Sequence, residues 1–122
     1  MRLRLLRWLL VTSTPWLSAC VACSSSAPSG EACSVTAPSE CPSPAVTYAD
    51  VAPIFDSACA TCHTGKGQDP WSLSDYNSVA DWQELVRAEV LNCTMPPKDS
   101  GVHVSNEDRR KLLAWVRCGG LK

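Results

Sequence analysis

Cys59-Ala60-Thr61-Cys62-His63 restricts this chain more than any other stretch. Two thiols three positions apart on a helical turn, followed at once by an imidazole, form the pattern by which a c-type haem is attached. Each thiol can form a thioether with one haem vinyl group. The imidazole is then held against the iron as the proximal ligand. A chain carrying this pattern has to fold around a large, flat, apolar body and present a second ligand to its other face. A methionine thioether is the usual choice there, because it raises the reduction potential. Met95, in Met95-Pro96-Pro97, is the only methionine besides Met1. His103 is the other group that could take that position, giving bis-histidine ligation and a lower potential.

The beginning of the chain reads as an address. Arg2, Arg4 and Arg7 form a short basic stretch, and no other Lys or Arg occurs before Lys66. Trp8 to Leu17 is mostly apolar but too short for a bilayer, which needs about 20 apolar residues. Residues 1–19 are therefore expected to be a signal peptide. Leu17-Ser18-Ala19-Cys20 resembles the lipobox of bacterial lipoproteins. The resemblance implies that Cys20 is diacylglyceryl-modified, becomes the first residue and is N-acylated, which would hold the protein stably on a membrane. The plainer alternative is a secretory leader cut after Ala19, with Cys20 an ordinary thiol. Cys23 is the poorer acceptor, because Cys20 occupies its −3 position. The expected location is the bacterial cell envelope, lipid-anchored and facing the periplasm or cell surface.

From Cys20 onward eight Lys and Arg face twelve Asp and Glu, a net of −4. No basic patch is present to meet phosphates, which argues against a nucleic-acid partner. Residues 20–46 are dominated by Ser, Pro and Ala without apolar periodicity. Such a segment cannot bury enough surface to offset its ordering entropy, so it is expected to be a disordered tether.

Export places the eight cysteines in an oxidising compartment. With Cys20, Cys59 and Cys62 assigned, five remain. A local Cys33–Cys41 bridge is expected, the alternative being that these two and Cys23 pin the tether to the domain. A Cys93–Cys118 disulfide is expected to tie the Met95 segment to the last helix, stabilising by about 2–4 kcal/mol.

Residues 47–122 carry three helical patterns and no strand pattern. The first is expected over about Asp50 to Ala60, with Asp50 as cap, Pro53 in the first turn and Val51, Ile54, Phe55 and Ala58 on one face. Gly65, Gly67 and Pro70 mark a loop. Beyond it, Trp71 and Leu73 return apolar surface to the interior, and Trp71 or Tyr76 could hydrogen-bond a haem propionate, with simple packing as the main role of each. The second helix is expected over Ser78 to Leu91, capped by Ser78 or Asp75. Val79, Trp82, Leu85, Val86 and Val90 form its apolar stripe, and Asp81, Glu84, Arg87 and Glu89 face water. Pro96 and Pro97 then stiffen the chain after Met95. The third helix starts at Ser105, where Asp108 makes a near capping box, and ends at Gly119-Gly120. Leu112, Trp115 and Val116 form its buried stripe, with Arg109, Arg110 and Lys111 pointing outward. About 75 residues seldom supply a sufficient core alone, so a covalent haem would serve as part of it.

From Tyr48 to Gly120 the chain resembles a class I cytochrome c domain. The likeness is to small bacterial domains and is carried by Asp50-Val51-Ala52-Pro53-Ile54, Cys59 to His63, Pro70-Trp71-Ser72-Leu73-Ser74-Asp75-Tyr76, Met95-Pro96-Pro97 and Trp115. The resemblance implies an all-α, three-helix domain wrapped around one covalent haem c, in which the last helix crosses the first near Trp115. It implies a monomeric electron carrier, not an enzyme, whose partners are a redox donor and a redox acceptor. Similar domains occur alone or fused to oxidases and copper monooxygenases, and this chain shows no such catalytic domain. Two readings compete with it. Cys59, Cys62, Cys93 and His103 could form a structural zinc site, which leaves His63 and Met95 unexplained. Cys59 and Cys62 could instead exchange disulfides, but no βαβ pattern surrounds them.

Overall fold

The structure, a computed structural model, describes residues 32–66 and 71–122. The proposed leader, Cys20, Cys23 and the 67–70 part of the loop lie outside the described residues. Four helices follow one another: α1 (Tyr48–Ile54), α2 (Tyr76–Asp81), α3 (Gln83–Leu91) and α4 (Asn106–Arg117). The chain is all-α, as expected, and the described residues form no strand beyond an isolated bridge between Thr64 and Ser72.

Helix α1 begins two residues before the expected start, at Tyr48. Thr47 is its N-cap, and the Asp50 carboxylate accepts from the Thr47 backbone N–H at 2.8 Å and its hydroxyl at 2.9 Å. Asp50 is thus the N3 half of a capping box, not the cap itself. Pro53 lies inside the helix, not in its first turn. From Phe55 to Cys59 the coil widens into one π turn, closed by the Ala60 N–H on the Phe55 carbonyl at 2.8 Å. Such turns recur at functional sites.

The expected second helix is two helices. Asp75 caps α2, its carboxylate accepting from the Ser78 N–H and hydroxyl. The backbone then leaves helical geometry at Trp82 (φ −108°, ψ 8°) before α3 resumes. Helix α4 is capped by the Ser105 hydroxyl, which accepts from the Asp108 N–H at 3.0 Å. Its end is a Schellman motif: Gly119 N–H meets the Val116 carbonyl, and Gly120 N–H the Trp115 carbonyl. Helix α3 ends the same way, with Cys93 N–H on the Val90 carbonyl and Thr94 N–H on that of Glu89. Here a cysteine, at φ 60°, occupies the left-handed position that usually takes glycine.

Helix α4 packs against both α1 and α3. Trp115 is fully buried, with Phe55 edge-on at 5.9 Å between ring centroids and Tyr48 at 6.1 Å. The crossing of first and last helices thus lies at Trp115, as the family resemblance implies. Val51, Ile54, Val79, Leu112, Leu113 and Val116 complete the centre of the core.

The largest departure is the segment read as a disordered tether. From Ala32 to Val46 it is a strap on the domain, with Val35 and Val46 packed against the core. The buried Asn106 side chain accepts from Ser34 N–H and donates to the Ala32 carbonyl, both at 3.0 Å. Two disulfides fix the strap: Cys33–Cys93 and Cys41–Cys118, with Cα separations of 5.9 and 4.8 Å. Neither the Cys93–Cys118 nor the Cys33–Cys41 bridge is therefore formed. Geometry explains both corrections. The strap starts beside Asn106, at the beginning of α4, and reaches Cys118 at its end. Those ends are about 18 Å apart at 1.5 Å per residue, whereas a disulfide spans at most about 7 Å between Cα atoms. Cys93 lies at one end of α4 and Cys118 at the other, so each takes its partner from the strap.

Candidate haem site

Cys59, at the close of the π turn, begins a tight turn of its own. Its carbonyl accepts from both Cys62 N–H (3.1 Å) and His63 N–H (2.9 Å). The His63 carbonyl accepts from Leu73 N–H at 3.0 Å, so the histidine backbone is held on both sides. This places Cys59, Cys62 and His63 along one wall of a cleft. Met95, with Pro96 and Pro97, lines the same cleft from the loop between α3 and α4. Its empty space, including the part open to solvent, is about 1030 Å³.

The rest of the lining is mostly apolar. Trp82 and Leu85, expected to be buried, are 38% and 41% exposed, and both face this cleft with Trp71. The Trp71 and Trp82 rings lie 5.3 Å apart. Large side chains grouped in this way mark a binding site, not a wet surface. Tyr76 is directed elsewhere, its hydroxyl donating to the Gly120 carbonyl at 3.1 Å.

The donor set suits a haem. Cys59 and Cys62 are the free thiols among the described cysteines, the other four being paired. His63 Nδ1 is buried with no hydrogen-bond partner among the described residues. Such an atom is costly inside a protein, and it leaves the ring free of any side-chain partner. His103 lines a separate pocket with Pro53, Ile54, Ser57 and Asp108. Met95, and not His103, therefore shares the cleft with His63.

The competing readings fare worse. Cys93 is committed to a disulfide, His103 is off the cleft, and no three His, Cys, Asp or Glu among the described residues could together hold a metal ion. Burial pushes the Cys59 thiol up to about 11, with Arg109 opposing only in part. A thiol-exchange cysteine needs the opposite shift.

Arg109, expected to point outward, is instead buried in the wall of the cleft. Its position was readable from period alone: Arg109, Leu112, Leu113 and Val116 are spaced i, i+3, i+4, i+7. Asn106, three residues earlier, continues the same face.

An all-α domain with a Cys-x-x-Cys-His turn on one wall of an apolar cleft and a methionine loop lining it too defines a class I c-type cytochrome domain. Residues 46–116 match the family model described as cytochrome c oxidase, cbb3-type, subunit III, and the chain belongs to that family. No curated protein and no solved structure matches the chain. It is a c-type cytochrome, a haem-binding protein of electron transfer with redox partners.

Proposed function

We propose that the chain is a monomeric, single-haem cytochrome that passes single electrons between redox proteins while tethered to a membrane of the bacterial cell envelope, facing the periplasm or cell surface. The observation that carries this reading is the meeting of Cys59, Cys62, His63 and Met95 on one apolar cleft. A haem bound there would supply the one-electron iron couple. Cys59 and Cys62 would hold it through thioethers, and His63 and Met95 would be the residues that ligate its iron. The apolar lining excludes water and so limits reorganisation around a changing charge. Cys20 would carry the acyl chains and residues 20–31 the tether, followed by the strap and the haem domain. In this reading the chain is an electron carrier and not an enzyme.

The test is the absorption spectrum of the full chain produced with c-haem maturation machinery. A sharp reduced α-band of c-type position is expected, with a far-red charge-transfer band in the oxidised form that Met95→Ala abolishes. Cys20→Ser is expected to release the protein from membranes with an unchanged spectrum. Exported protein without haem absorbance would overturn the reading.

A further inference from the structure

The loop from Asn92 to Ser105 that carries Met95 is 14 residues long and has no helix or strand of its own. Loops of that length in compact domains are uncommon and usually functional. One side chain gathers this one. Arg109 donates through Nη1 to the carbonyls of Met95 (2.8 Å) and Val90 (3.3 Å), and through Nε to that of Val104 (3.4 Å). Val90 lies at the end of α3, Met95 within the loop and Val104 just before α4. A single guanidinium therefore ties the two ends of the loop to each other and to Met95.

Arg109 is only 5% exposed and makes no ion pair with a carboxylate among the described residues. Burying a cation without a counter-ion is costly, and a leucine at this point of the stripe would pack at less cost. What the arginine offers instead is direction. Its planar fork holds several acceptors in fixed relation, and the shortest of its bonds goes to the methionine itself. Pro96 limits Met95 from the other side, since a residue before proline is confined to extended backbone. The Met95 backbone is thus fixed at its carbonyl and by its successor.

We propose that Arg109 is a positioning residue for Met95: it sets the backbone from which the thioether reaches the iron, and so sets how firmly the sixth position is held. The proposal rests on the reading of Met95 as the distal ligand. Three of the five N–H donors of the guanidinium are used on backbone carbonyls, so the hold on the Met95 carbonyl does not depend on what the Nη2 group meets.

The experiment compares wild type, Arg109→Lys and Arg109→Met as haem-loaded full chains. The readouts are the far-red band of the oxidised form and the rate at which cyanide displaces the distal ligand. Losing charge-assisted bonds to the loop is expected to raise the cyanide rate about 10- to 100-fold in Arg109→Met and to weaken the far-red band, with the reduced α-band unchanged. Arg109→Lys, with one donor group in place of the fork, is expected between the two. A lowered unfolding midpoint with wild-type cyanide rate and band would mean a structural role only and overturn the proposal. If Arg109→Met does not fold, Arg109→Lys decides, and a wild-type rate there overturns it. Absence of the far-red band from wild type itself would instead remove the Met95 reading on which the proposal stands.

Discussion

Cys93 lies two residues before Met95 and is bonded to Cys33, 60 residues earlier in the chain. The bond therefore fixes one end of the methionine loop to the strap, at the residue that closes α3. A loop of this size corresponds to about 4 kcal/mol of denatured-state entropy, and disulfides of this kind typically stabilise by about 2–4 kcal/mol. The double variant Cys33→Ala/Cys93→Ala is expected to lose about that much in chemical denaturation. Amide exchange at residues 93–95 should quicken more than exchange in α4. Equal quickening throughout would mean that the bond holds the whole domain and not the loop.

Trp115 joins the first and last helices, and its contribution has two separable parts. The ring packs against Phe55 and Tyr48, and Nε1–H donates to the Leu121 carbonyl at 2.8 Å. Trp115→Ala is expected to cost about 3–5 kcal/mol through the cavity it leaves. Trp115→Phe keeps much of the packing but drops the hydrogen bond and some volume, at about 1–3 kcal/mol. Urea denaturation midpoints of the two variants measure the difference. If both cost the same, the hydrogen bond to the C-terminal segment is the larger part.

What could be read from the sequence follows the range of the interactions involved. Ser105 and Gly119 mark the ends of α4 through bonds to residues three or four away, so its limits were legible to within a residue. The cleft was legible because Cys59, Cys62 and His63 fall within one five-residue stretch and Met95 is the only methionine beyond Met1. The break at Trp82 was not, because Val79, Trp82, Leu85, Val86 and Val90 keep one unbroken helical period. Trp82 and Leu85 were rightly read as apolar-facing, yet they face the cleft instead of the protein core. The strap was illegible for another reason. Its order comes from two disulfides and the Asn106 side chain, all acting across more than 55 residues. A Ser/Pro/Ala segment carries no local pattern that would announce them. Arg109 was hidden by its residue type, although its period put it on the buried face.

Acid sensitivity should begin at two helix starts. The Asp50 carboxyl is held below its usual range by hydrogen bonds from the Thr47 backbone and hydroxyl, and the Asp75 carboxyl by those from the Ser78 hydroxyl and backbone. A lowered folded-state pKa contributes stability that is fully present above the unfolded value and is lost as pH falls through the folded one. Stability is therefore expected to be flat through neutral pH and to fall from about pH 4 downward. Asp50→Asn and Asp75→Asn should each flatten that fall without steepening it elsewhere. Thermal melts from pH 7 to pH 2.5 measure it. A wild-type acid slope in the double variant would place the sensitive carboxylates elsewhere.

The two glycines that end α4 are expected to tolerate substitution unequally. Both have positive φ, +81° at Gly119 and +66° at Gly120. An L-residue in the left-handed region costs about 1 kcal/mol relative to glycine, and this applies to both. Around Gly119 the space is open, with nothing within 4 Å of an added Cβ. Gly119→Ala is therefore expected to cost about 1 kcal/mol and no more. At Gly120 an added Cβ would overlap the buried amide oxygen of Gln83 and press on Trp115 at 3.4 Å. The Gly120 carbonyl also receives the Tyr76 hydroxyl, which limits how far this residue can shift to relieve the overlap. Gly120→Ala is expected to cost about 2–3 kcal/mol, the backbone strain plus the overpacking. Denaturant midpoints of the two single variants decide it. Equal losses would show that Gln83 swings aside freely and that left-handed backbone is the only requirement at this end of the helix.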